Sequence, residues 1–182
     1  MQNKYLIMLL LLIFSAPVEF GQSSKPDSAQ NILKHSIELS KESNKSVFVI
    51  FHASWCIWCK RLDSALESSE LKKIFDDHFV IVHIDVLERK EKIEELENPG
   101  GEKIMTAMGG KDAGLPFFVF LNSSGKKIVN SMAMPKNGNI GYPAAKEEIE
   151  TFVKLLKKSS RSLTKYQLSE VKEYLEKNAP KS

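Results

Sequence analysis

Cys56 and Cys59 are the only two cysteines in a chain of 182 residues. They stand three positions apart in the run Trp55-Cys56-Ile57-Trp58-Cys59-Lys60. Two thiols at this spacing can open and close one disulfide by thiolate exchange, contribute two donors to a metal site, or form an inert bridge. Closing so small a loop restricts the unfolded chain least, so a structural staple explains the pair poorly. A metal site needs further donors. His52, four residues before Cys56, offers one, but His35, His78 and His83 are scattered and no second Cys-x-x-Cys exists. Asp63 stands one helical turn beyond Cys59 and reads as a solvated helix residue or a proton acceptor. Lys60 reads as an exposed lysine or as a charge that favours a neighbouring thiolate.

The segments around the pair must supply its position. Residues 46–53 are almost unbroken in Val, Ile and Phe and read as a strand buried on both faces. A helix beginning near Cys56 then carries Cys59, Leu62, Ala65 and Leu66 at helical spacing. Ser69 is a candidate cap for a second piece holding Leu71, Ile74 and Phe75. Residues 79–85 read as a second buried strand. Residues 87–108 read as two helical pieces split by Asn98-Pro99-Gly100-Gly101. Leu115-Pro116 precedes a third strand over 117–121, a turn follows at 122–125, and residues 126–132 return as a hairpin partner. Upstream, Asp27 is a candidate cap for a helix through Ala29, Ile32, Leu33 and Ile37. Downstream, Pro143 can open a helix with Ile149, Phe152, Leu155 and Leu156 on its apolar side. A final helix starts near Thr164, carries Leu168, Val171 and Leu175, and ends near Asn178. The Glu and Lys runs over 88–97 and 146–158 read as solvated faces. This order describes an α/β domain with a parallel crossover followed by an antiparallel hairpin, hence a mixed sheet.

A net charge of +3 without an aromatic-interleaved basic stripe points away from nucleic acid. Lys4 precedes an apolar run over 6–14, and Pro17 and Gly21 close it, which is the pattern of a secretory signal peptide. The run is shorter than the ~20 residues of a spanning helix, so contact with a membrane is expected only if this leader stays uncleaved. Residues 1–21 are therefore expected to be the leader and 22–27 a polar linker. The expected location is periplasmic or secreted, where disulfides persist.

Taken together, the Trp-Cys-x-x-Cys-Lys run at a strand end, the buried strand before it and the later Leu115-Pro116 resemble the exported thioredoxin-like proteins of bacteria. The resemblance implies a three-layer sandwich over residues 28–160, a mixed central sheet with helices on both faces, and a C-terminal helical extension over 161–182. It implies a thiol–disulfide oxidoreductase in which Cys56 is the nucleophile, favoured as thiolate by the helix N-terminus, and Cys59 resolves the mixed disulfide. Trp55, Trp58, Leu115 and Pro116 would face substrate, with Pro116 in the cis form. Protein thiols and disulfides would be the substrates, an upstream redox partner such as a membrane reductase would supply electrons, and no cofactor or metal would be needed. The direction, reduction or oxidation, stays open. Three departures stand out. Ile50 occupies the position where many thioredoxins carry a buried acid, residues 86–114 form a long insertion, and the last helix is extra. The last two departures keep a second reading in play, a binding or chaperone module on the same scaffold. A metal carrier using Cys56, Cys59 and His52 is a third.

Overall fold

The apolar run of residues 46–52 becomes the central strand β1 (Ser46–His52), whose five inner residues are buried. This is a computed structural model, and it describes residues 25–160 and 162–180. The expected leader and the first half of the expected linker, residues 22–24, lie outside the described residues. On one side β1 pairs in parallel with β2 (Phe79–Asp85), in a register running from Ser46 opposite Phe79 to His52 opposite Asp85. On the other it pairs antiparallel with β3 (Phe117–Leu121), which pairs antiparallel with β4 (Lys127–Asn130). The sheet is thus mixed and four-stranded, in the order β2-β1-β3-β4.

Alternation along the strands splits the core in two. Phe48, Ile50, Phe118 and Phe120 face the helices α2 (Ile57–Leu66), α3 (Lys72–His78), α6 (Lys146–Ser159) and α7 (Lys165–Lys177). Phe48 is the hub of this side: its ring lies 4.4 Å from that of Phe120 and edge-on to Phe118 at 5.5 Å. Val47, Val49, Phe51, Phe117 and Val119 face α1 (Ala29–Ser43) and α5 (Gly101–Met105). The three layers are therefore helices, sheet, helices, as the resemblance implies. Leu168, Val171 and Leu175 of α7 belong to the same buried cluster as Phe118 and Phe152, so the extra C-terminal helix completes this core.

Local details depart from the sequence reading. The cap of α1 is Ser28, whose hydroxyl accepts from the Asn31 N–H; Asp27 accepts instead from the Ser28 N–H and the Asn31 side chain. Ser68, not Ser69, accepts from the Leu71 N–H ahead of α3. Pro143 does not open α6; that helix starts at Lys146, and the Glu148 carboxylate reaches back to the Ala144 and Ala145 N–H groups. β2 is not fully buried. It is an edge strand, and only Phe79 and Ile84 are wholly enclosed.

The insertion folds tightly back on the strand ends. A single turn at Lys90–Lys92 leads into the short α4 (Ile93–Leu96). Asn98 then bridges two distant chains: its side-chain oxygen accepts from the Asp85 N–H and its NH2 donates to the Asp27 carbonyl. Gly101 opens α5 where a Cβ would stand 2.7 Å from Val86 Cγ1 and 3.2 Å from the Asp85 carbonyl oxygen. Among the described residues, no helix is long and apolar enough to cross a membrane.

Candidate active site

β1 ends at His52, and a short turn carries the chain to α2. Its geometry is fixed by the Cys56 N–H donating to the Ala53 carbonyl. Cys56 becomes the N-terminal cap of α2, so its sulfur lies where the free amides of the first turn point. The Cys59 N–H donates to Cys56 Sγ at 3.1 Å. Cys56 and Cys59 are joined as a disulfide with an S–S distance of 2.04 Å. Cys56 is 3% exposed and Cys59 1%, and with Ala53 they form a small cluster onto which Leu115 packs. The Leu115–Pro116 peptide is cis, as the resemblance implies.

Around this buried pair stands a rim of exposed apolar side chains. Trp55 is 45% exposed, Ile57 63% and Trp58 43%. Neither tryptophan is a core residue. Trp58 lies nearly parallel to Tyr142, with centroids 6.1 Å apart, and the Arg61 guanidinium sits 4.8 Å over its ring. A cleft of about 400 Å³ opens between Trp58, Leu115, Ile140 and Tyr142. One wall is pinned by Asn139, whose NH2 donates to the Gly114 and Pro116 carbonyls, while its side-chain oxygen is buried without a partner. The structure brings Cys56, Cys59, Trp58, Leu115 and Pro116 close together, with Asn139 and Tyr142 beside them. Trp55 is on the same rim but turned outward, its indole N–H donating to the Leu87 carbonyl at 2.8 Å. The Lys60 side chain is exposed.

Glu88 departs furthest from the solvated face that its sequence neighbourhood suggests. It stands in a run of alternating acids and bases, yet it is buried. Its carboxylate accepts from both the Ser54 N–H and the Ser54 hydroxyl, two residues before Cys56. Its own N–H donates to the Glu97 carboxylate at 3.0 Å. With the Trp55–Leu87 bond, this makes the start of the insertion a clamp on the turn that presents Cys56. Glu88 follows the end of β2 by three residues, beside the end of β1. That position is the one signal that could have marked it.

His52 does not form a donor set with the cysteines. Its Nε2 lies 3.3 Å from Asp85 Oδ1, off the line of a good hydrogen bond, and its ring is 4.8 Å from that of His83. Asp63 is not free in solvent either: its Oδ1 is 2.9 Å from His83 Nε2. Burial disfavours the charged His52 ring, but Asp85, with Asp63 and Glu88 behind it, outweighs that cost and raises its pKa. Among the described residues, no grouping of three or more His, Cys, Asp or Glu side chains could hold a metal ion.

Among solved structures, a disulphide isomerase from Xylella fastidiosa Temecula1 is 20% identical, with a TM-score of 0.48 over 82% of this chain and 89% of that one. A thioredoxin from Thermus thermophilus is 16% identical, with a TM-score of 0.44 over 75% and 86%. A thioredoxin-fold protein from Helicobacter pylori is 17% identical, with a TM-score of 0.43 over 73% and 83%. Residues 29–123, from the first helix through the strand after the cis proline, match the thioredoxin-like family. With its Cys-x-x-Cys disulfide at a strand–helix junction, on a mixed sheet between two helical layers, this chain belongs to the thioredoxin-like family.

Proposed function

We propose that this protein is an exported thiol–disulfide oxidoreductase that exchanges its Cys56–Cys59 disulfide with protein thiols. The observation that carries the proposal is the placement of Cys56 Sγ at the N-terminus of the ten-residue helix α2, accepting the Cys59 N–H. Backbone amides and the helix dipole there favour the thiolate, the reactive form. In the reducing direction, the Cys56 thiolate attacks a substrate disulfide. One substrate sulfur becomes bonded to Cys56 and the other leaves as thiolate. Cys59 then attacks Cys56, the internal disulfide re-forms, and the second substrate sulfur departs. The reverse sequence oxidises a substrate dithiol. An upstream dithiol donor, such as a membrane reductase, would restore the reduced pair in the reducing direction.

Trp58 and Leu115 suit a substrate-facing role, because both line the cleft and Leu115 also packs on the buried disulfide; Pro116 follows Leu115 through the cis bond. Trp55 extends the apolar rim on the other side. An extended polypeptide laid along Leu115 could pair with its backbone in a strand-like manner while its sulfur meets Cys56. The charged and apolar start of the chain supports export, which would place the pair in a periplasmic or extracellular setting.

The test is insulin reduction by the mature protein with dithiothreitol as donor. The wild type is expected to accelerate it and Cys56→Ser to abolish the acceleration; a wild-type rate from Cys56→Ser would sink the proposal. The midpoint potential of the pair decides direction: a strongly reducing value identifies a reductase, an oxidising value a disulfide donor.

A further inference from the structure

Cys59 is almost wholly enclosed, so its attack on a mixed disulfide at Cys56 requires a route for its thiol proton. Ile50, buried on the α2-facing side of β1, is apolar and offers none. The next residue on that face is His52, because side chains two apart share a side of the sheet. The parallel register sets His83 opposite Ile50 and Asp85 opposite His52, adding both β2 side chains to the same face. From above, α2 supplies Asp63, one turn beyond Cys59. Contacts link these groups in sequence: Asp63 Oδ1 to His83 Nε2 at 2.9 Å, His83 to His52 with rings 4.8 Å apart, and His52 Nε2 to Asp85 Oδ1 at 3.3 Å. His52 Nε2 is buried without an aligned hydrogen-bond partner, whereas His83 and Asp63 are each about a third exposed. The cluster therefore runs from the enclosed end of the sheet out to water.

We propose that Asp63, His83, His52 and Asp85 form a proton relay serving Cys59 in the resolving step, a role that rests on the thiol–disulfide reading above. In that step the Cys59 S–H gives its proton to the relay and its electron pair forms the bond to Cys56 Sγ. The bond between Cys56 and the substrate sulfur breaks, and the departing thiolate takes a proton from water. The substrate gains the two electrons that the cysteine pair loses. In the reverse direction the relay returns the proton to Cys59. The titratable groups facing His52 are Asp85 and His83 from β2, Asp63 from α2, and Glu88 from the segment after β2. Their net acidity favours accepting a proton at this position, in accord with the raised pKa of the imidazole.

The two thiols can be followed separately with the chromogenic disulfide 5,5′-dithiobis(2-nitrobenzoate). Mixed with reduced protein in a stopped-flow instrument, it releases one chromophore when Cys56 attacks and a second when Cys59 resolves the adduct. The first phase depends on reagent concentration and the second does not. In His52→Gln the second phase is expected to slow by about a hundredfold at neutral pH, with its rise shifted to higher pH. A second phase with wild-type rate and pH profile in His52→Gln would overturn the relay. If that variant does not fold, Asp63→Asn at the solvent-facing end carries the same test with the same two outcomes. A wild-type protein lacking the first phase would overturn the oxidoreductase reading and the relay together. A normal first phase with an unaltered second overturns the relay alone.

Discussion

Glu88 and Ser54 are separated by 34 positions in sequence and meet at the turn before Cys56. A carboxylate holding two donors on one residue is a charge-assisted pair of hydrogen bonds. Replacing Glu88 by Ala is expected to lower stability by roughly 1–2 kcal/mol, read as a fall in the urea midpoint at unchanged slope; an unchanged midpoint would mean that water replaces the clamp at no cost. His52 makes a pH-dependent contribution. Its folded pKa lies above the unfolded value of 6.5, so charged His52 stabilises the fold. That contribution is fully present below the unfolded pKa and is lost as pH rises through the folded one. The stability difference between wild type and His52→Gln is therefore expected to be larger near pH 6 than near pH 8.5. Paired denaturant titrations at the two pH values check this, and a difference that grows with pH would contradict the assignment. At this scale the two cysteines, the rim tryptophans and Leu115-Pro116 were legible, because each carries its chemistry in its type and local spacing. Glu88, Asn139, Tyr142 and the Asp63–His83 pair were not. Their roles arise when strand ends, α2 and the segment after β4 close on one another, and no local period encodes that closure.

At the scale of elements, β1 was readable because a strand enclosed on both sides has no polar alternation to confuse it. The apolar run of β2 suggests equal enclosure, although His83 and Asp85 interrupt it on one face. That interruption marks both the sheet edge and the polar cluster at its end. Helix starts were less legible than helix faces, since Asp27, Ser69 and Pro143 are as suitable chemically as the groups that actually serve. The insertion depends on close approach at Gly101, where a methyl group would press on Val86 and on backbone at Asp85. Gly101→Ala is expected to cost about 1–3 kcal/mol, and thermal unfolding reads it. An unshifted transition would mean that α5 moves away from β2 without penalty.

For the whole molecule, a mixed α/β sheet followed from the order of apolar runs and helical periods, and the two helical layers from the family resemblance. The status of the last helix did not. Its amphipathic pattern looked like an appendage, but Leu168, Val171 and Leu175 fill the core beside Phe152 and Phe118. Ending the chain at Ser160 would expose those neighbours, at about 1.5–3 kcal/mol for each buried side chain lost. Such a truncation is expected to abolish the cooperative unfolding transition or drive the protein into aggregates; a sharp transition like that of the full chain would show α7 to be dispensable. The placement of the tryptophans has a practical consequence. The chain contains two, and both stand on the rim of the disulfide. All indole emission thus originates within a few side chains of the Cys56–Cys59 disulfide, so opening that bond is expected to be legible in the protein's own fluorescence, without a label.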